Sequence, residues 1–224
     1  LCKQHNLKLA VDNTFMSPYG QSPLSLGADI VMHSTTKFIG GHSDIIGGAL
    51  ITNNKQLAEK LYFIQKSGGA VPSPFDCWML LRSTKTLGLR FQKQSDNALE
   101  LANRLNSHEK IGSVIYPGLS SHPQFNLATK QQLNPNNQPI YGSMISIKLG
   151  SIAKRDSFLN KLELFKLAES LGGVESLVCV PFEMTHGSVP TDMKIKMGLT
   201  EDLVRLSVGI EHIDDLYFDL DQSL

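Results

Sequence analysis

Ser34-Thr35-Thr36-Lys37 places three hydroxyls beside one amine, directly after the apolar run Ile30-Val31-Met32 and His33. Hydroxyls donate hydrogen bonds to a phosphate, and a lysine whose surroundings favour the neutral amine can form a Schiff base with a carbonyl. Asp12 stands in a comparable place, at the end of a run in which Leu7, Leu9 and Val11 alternate with Lys8 and Ala10. Both runs read as short strands, and the carboxyl edge of an open α/β sheet is where ligands bind. Gly40-Gly41 and Gly47-Gly48 would let the backbone pass close to a bound group. Spacing alone therefore gives an anion site beside a lysine and nothing more, since most Asp and Lys residues after strands are simply solvated. His33, His42 and His186 have no neighbours at ligand spacing and read as structural, so no metal is expected.

A third apolar run, Ala49-Leu50-Ile51-Thr52, follows the glycines, and short strands with helices between them imply an α/β sheet. Ser73-Pro74-Phe75-Asp76 has the pattern of a helix start, with a capping serine, proline at the first position and an acid at the third. Ala98, Leu101, Ala102 and Leu105 share one helical face. The pattern predicts one long helix, or two in line, from Pro74 to Leu105, bridging to a second domain that begins near residue 96. That domain is expected to be a smaller α+β unit with strands near Ser143–Leu149 and Leu203–Ile210. In the latter, Val204, Leu206, Val208 and Ile210 line one face and Arg205, Ser207 and Gly209 the other. Leu216 and Leu220 predict a terminal helix with Asp214 and Asp215 near its positive end. Cys77, Trp78, Met79 and Cys179 are expected to be packing residues.

The 224 residues carry 21 basic and 21 acidic side chains, with no cationic cluster, which argues against nucleic acid or an anionic membrane as the main partner. No apolar run approaches the roughly 20 residues of a membrane span. Three widely spaced cysteines fit a reduced, cytoplasmic protein better than a disulfide frame or a zinc site.

Longer blocks narrow the reading. Val11-Asp12-Asn13-Thr14-Phe15-Met16-Ser17-Pro18-Tyr19, Leu26-Gly27-Ala28-Asp29-Ile30-Val31 and His33-Ser34-Thr35-Thr36-Lys37-Phe38-Ile39-Gly40-Gly41-His42 closely resemble the cystathionine γ-lyase and γ-synthase family. So do Tyr116-Pro117-Gly118-Leu119, Leu167-Ala168-Glu169-Ser170-Leu171-Gly172-Gly173, Met184-Thr185-His186 and Arg205-Leu206-Ser207-Val208-Gly209-Ile210-Glu211. The resemblance covers essentially the whole chain. It implies an α/β fold of the PLP-dependent transferase type, as in aspartate aminotransferase. Residues 1–95 would be the C-terminal portion of the large, cofactor-binding domain with the start of the linking helix, and 96–224 the small C-terminal domain.

The same resemblance implies pyridoxal 5'-phosphate (PLP) as cofactor, held by Lys37, which would also shuttle protons. Asp12 would pair with the pyridine nitrogen, Ser34 and Thr36 would donate to the phosphate, and Thr14 would lie near the ring. Arg205 would grip a substrate carboxylate, helped by Ser176, and Glu175 would influence which amino acid is accepted. The implied activity is γ-elimination of cystathionine to cysteine, 2-oxobutanoate and ammonia, followed in order by γ-synthase and β-lyase chemistry. A tetramer built as a dimer of dimers is expected. The resemblance begins mid-domain, so the family's ring-stacking tyrosine and phosphate-cradling loop have no counterpart in these residues. That also leaves room for a non-catalytic remnant acting as a binding or assembly subunit. Asn134–Tyr141 and Arg82-Ser83-Thr84 depart from the family pattern.

Overall fold

The strands expected at Asp12 and Ser34 lie side by side and run parallel, β1 (Ala10–Asp12) against β2 (Ile30–Ser34), with Val11 opposite Val31. Parallel pairing brings both carboxyl ends to one edge, so Asp12 and Ser34 share it. The computed structural model describes all 224 residues, Leu1–Leu224. In the connection, α1 (Ser17–Gly20) is held by amide side chains: Asn13 Nδ2 donates to the carbonyls of Ser17 and Gln21, both at 2.9 Å, and Gln21 Nε2 donates back to Asn13 Oδ1. β3 (Gly48–Ile51) pairs antiparallel on the other side of β2.

Helices α2 (Lys55–Gly68), α3 (Pro74–Thr84) and α4 (Leu87–Asn106) follow. The capping serine acts as expected, since Ser73 Oγ accepts from the amide of Asp76 at 3.1 Å. The expected 74–105 helix is two helices, interrupted at Lys85-Thr86. The two halves of α4 pack in different places. Leu87 and Phe91 join Met16, Phe38, Ile140 and Leu171, whereas Ala98, Leu101, Ala102 and Leu105 enter a larger core of 19 buried residues. One expectation fails on α3: Trp78 is 59% exposed and stands beside exposed Phe75, and Cys77 is only half-buried. α2 buries none of its residues, and Tyr62, Phe63 and Ile64 are exposed.

The larger core lies beneath a second sheet made of β4 (Ser113–Ile115), β5 (Met144–Lys148), β6 (Lys166–Leu167), β7 (Leu177–Cys179) and β8 (Leu203–Ser207). The order is β4-β5-β8-β7-β6, antiparallel throughout except for the β6–β7 pair. Around it run α5 (Phe125–Gln131), α6 (Ile152–Lys161), α7 (Thr191–Lys196) and α8 (Ile213–Ser223), and α8 packs on α4 and α6. β8 is shorter than its alternation predicts. Val204, Leu206 and Val208 are buried, but the Gly209 amide turns to Ser176 Oγ and the Ile210 amide to the Val174 carbonyl, which leaves Ile210 partly exposed. No helix is long and apolar enough to cross a membrane.

α8 also supplies a buried carboxylate. Asp219 accepts the amides of Glu163, Leu164 and Phe165 at 2.8–3.0 Å, three main-chain groups that no strand or helix satisfies. Truncating it leaves these donors without a partner. Asp219→Ala is expected to lower unfolding free energy by about 3–5 kcal/mol, and Asp219→Asn by roughly half as much, read from urea midpoints at constant slope.

Candidate functional site

Lys37 occupies a wide, π-type turn, Thr35–Ile39, that leaves the end of β2. The Gly40 amide donates to the Thr35 carbonyl at 2.8 Å and the Gly41 amide to that of Lys37 at 2.7 Å. Lys37 itself departs from helical geometry, with φ −87° and ψ −129°. Turns of this kind are frequent at functional sites because they re-aim a side chain. Gly47 braces the turn: its carbonyl accepts the Thr35 amide at 2.9 Å and its amide donates to Thr36 Oγ1 at 3.0 Å. A Cβ on Gly47 would come within 2.8 Å of Thr35 Oγ1, a buried hydroxyl that has no hydrogen-bond partner in the chain.

The residues at the shared strand edge form a short relay. Asp12 Oδ1 accepts the Thr14 amide at 2.9 Å, and Thr14 Oγ1 accepts the Ser34 amide at 2.8 Å. Asp12, Thr14, Ser34, Thr36 and Lys37 therefore make one cluster, with Asp12 open to solvent and Thr14 buried. His33 points to the other side of β2; burial lowers its proton affinity, and the Asp12 charge opposes that.

The second sheet contributes the facing wall. Arg205, midway along β8, lies between Ser146 and Cys179 of the neighbouring strands and donates to the Glu169 carbonyl at 3.2 Å. Burial holds the Lys37 amine below the usual lysine range, and the Arg205 cation pushes it further the same way. Lys37 Nζ donates to the Ser170 hydroxyl at 3.4 Å. Ser170 is a residue that type and spacing did not single out, and only its place in the Leu167–Gly173 block pointed to it.

Ser176 is buried with its polar groups already engaged. Its hydroxyl donates to Glu211 Oε2 at 2.9 Å and accepts from the Gly209 amide at 2.8 Å, while its own amide donates to Glu211 Oε1 at 2.7 Å. Glu211 was likewise not anticipated. Glu175, half-buried, receives a hydrogen bond from the Ser43 hydroxyl, on the segment that follows the Lys37 turn. The site thus gathers an amine whose proton affinity is lowered, a cluster of hydroxyls, a carboxylate at a strand edge and a guanidinium without a carboxylate partner. That set suits an anionic, carbonyl-bearing ligand.

Comparison with known proteins agrees in sequence and in fold. The model of the family described as Cys/Met metabolism PLP-dependent enzyme matches residues 1–224. The chain is 54% identical to cystathionine gamma-lyase of Dictyostelium discoideum over 217 residues, 96% of this chain and 54% of that protein. It is 48% identical to cystathionine gamma-synthase of Mycobacterium leprae over 226 residues, 100% of this chain and 56% of the relative. A crystal structure of cystathionine gamma-lyase from Lactobacillus plantarum superposes with a TM-score of 0.94 at 40% identity, covering 99% of this chain and 57% of that one. The chain spans little more than half the length of the curated relatives it matches.

The coupling between the two walls is measurable without any ligand. Removing the Arg205 cation relieves the repulsion felt by a Lys37 ammonium. In Arg205→Gln, the pH at which Lys37 becomes half-reactive toward an acylating reagent, mapped by peptide mass spectrometry, is expected to rise. It should remain below that of exposed lysines, because burial is the larger cause and persists. An unchanged midpoint would show that the two groups do not sense each other.

Proposed function

Since the chain belongs to the Cys/Met metabolism family of PLP-dependent enzymes, we propose that the protein is a transsulfuration lyase that cleaves cystathionine by γ-elimination to cysteine, 2-oxobutanoate and ammonia. The observation that carries the reading is the Lys37 amine, depressed by burial and by Arg205, on a hydroxyl-rich turn at the carboxyl edge of two parallel strands. The residues present fit the cofactor. The turn offers the part-exposed Ser34 and Thr36 hydroxyls for a phosphate, beside an amine that can meet a carbonyl.

In this reading Lys37 would hold the cofactor, Ser34 and Thr36 would donate to its phosphate, and Asp12, with Thr14 beside it, would pair with the ring nitrogen. PLP, when bound, supplies the electron sink that makes loss of a substrate α-proton accessible. Lys37 takes that proton at Nζ and returns one later, a role that needs an amine neutral near working pH. Arg205 pairs with the substrate carboxylate, and a planar fork fixes both oxygens at once. The direct help to Arg205 that the resemblance implies for Ser176 is replaced in this reading by an indirect one, because its hydroxyl and amide are already taken by Glu211 and Gly209 and fix the loop, while Glu175 bears on which amino acid is accepted. A large domain through residue 95 and a small domain from residue 96 are part of this reading, supported by α4, whose first half packs in one core and second half in the other. Active sites shared within a tetramer, assembled as a dimer of dimers, complete the proposal, as does a cytoplasmic setting.

The γ-lyase assignment leans on the 54% identity to a γ-lyase. A γ-synthase reading has support from a relative at 48% identity, and a β-lyase reading from Lactococcus lactis cystathionine beta-lyase at 46%. The full-length protein, incubated with PLP and reduced with borohydride, is expected to carry the cofactor on Lys37, and Lys37→Ala is expected to lose about 10²–10⁴-fold in turnover. Release of 2-oxobutanoate and cysteine from cystathionine identifies γ-elimination. Pyruvate with homocysteine would move the assignment to β-lyase, and consumption of an activated homoserine with cysteine to γ-synthase. An inert protein that still assembles, with no label on Lys37, would replace the enzyme by a structural subunit.

A further inference from the structure

Arg90 lies in the first half of α4 with 6% exposure, and none of its hydrogen-bond partners is a carboxylate. Nη1 donates to the Phe38 carbonyl at 2.8 Å, and Nη2 donates to the carbonyls of Ile39 at 3.2 Å and Ser83 at 3.0 Å. Nε donates to Thr86 Oγ1 at 3.1 Å. A buried cation is costly unless its surroundings supply negative charge. Here the negative charge comes from main-chain carbonyls at two helical C-termini, that of the Lys37 turn and that of α3. Burial disfavours the charged form, but a guanidinium starts so high that it keeps its proton.

We infer that Arg90 is the positioning residue of the Lys37 turn, its guanidinium fastening the two carbonyls after Lys37 to the end of α3 and so setting where the amine points. The turn needs an external tie, because the helical path breaks at Lys37. α4 holds Phe38 twice, by its carbonyl through Arg90 and by its ring, which meets Phe91 edge-on at 5.1 Å. Gly41 makes room for this arrangement. It adopts φ +71°, and a Cβ there would stand 2.0 Å from Arg90 Nη1. A lysine cannot reproduce the planar fork that reaches adjacent carbonyls together. The inference rests on the reading of Lys37 as the cofactor lysine only for its purpose; the tie itself is geometric.

The test compares wild type with Arg90→Gln, Arg90→Lys and Thr86→Val in the full-length protein. Hydrogen exchange, followed by mass spectrometry without PLP, reads the tie directly. In Arg90→Gln, peptides holding the Gly40 and Gly41 amides are expected to exchange about tenfold faster, with β8 unchanged, since the charge-assisted bonds to the Phe38, Ile39 and Ser83 carbonyls are lost. Arg90→Lys should restore part of the protection. Thr86→Val, which removes one surface-side partner, should speed exchange about threefold. PLP trapped on Lys37 by borohydride should fall in the order wild type, Arg90→Lys, Arg90→Gln. Unchanged exchange at Gly40 and Gly41, or an equal rise across both sheets, would overturn the inference. If Arg90→Gln does not fold, Thr86→Val decides, and wild-type rates in it count against the tie. Wild type that never takes PLP at Lys37 fails the cofactor reading, while the exchange result still decides Arg90.

Discussion

The loop Ser170–Ser176 joins the two walls of the site by bonding to three elements at once. Its Val174 amide donates to the Gly41 carbonyl at 2.9 Å, beside the Lys37 turn. Its Gly173 carbonyl accepts from Gln94 of α4 at 2.6 Å, and its Gly172 amide donates to Ser207 of β8 at 2.9 Å. Gly172 has φ +81°, and a Cβ there would press within 2.8 Å of the Phe38 amide, so the chain can run this close only with glycine. Together with α4, which packs in both cores, this seam holds the Lys37 turn against the strand that carries Arg205.

Electrostatics follow from the same seam. Lys37 and Arg205, two cations from different sheets, are brought near each other with no carboxylate hydrogen-bonded to either. Like charges held close and partly desolvated favour loss of the proton from the weaker base, which is the amine. The arrangement is unfavourable for the chain by itself and becomes favourable once an anion neutralises the pair. Site geometry and fold stability are therefore in tension here, while the carboxylate of Asp219 and the interlocked amides of Asn13 and Gln21 serve the fold alone.

Much of this was legible in the residues. Alternation marked β1 and β8, capping marked the start of α3, and the Asp12 and Ser34–Lys37 groups emerged from their places after apolar runs. Short edge strands such as Lys166–Leu167 carry no periodicity, since two residues cannot display one. β8 ends before the hydrophobic alternation does at Ile210, because the backbone partners of Gly209 and Ile210 lie on the loop rather than a strand. Ser170 and Glu211 escaped because their significance is set by contacts 133 and 35 residues away in sequence. Trp78 departs from the burial expected of a large aromatic because its helix turns that face outward.

That outward-facing indole is the chain's sole tryptophan. Its emission therefore reports the surface of α3, where its near neighbour is the equally exposed Phe75 ring. The 19-residue core beneath the second sheet contains tyrosine but no tryptophan. Light absorbed by the indole thus carries information about what touches α3 and little about whether that core is intact. In this molecule the intrinsic fluorophore is a contact sensor, and the integrity of the interior has to be followed through the backbone.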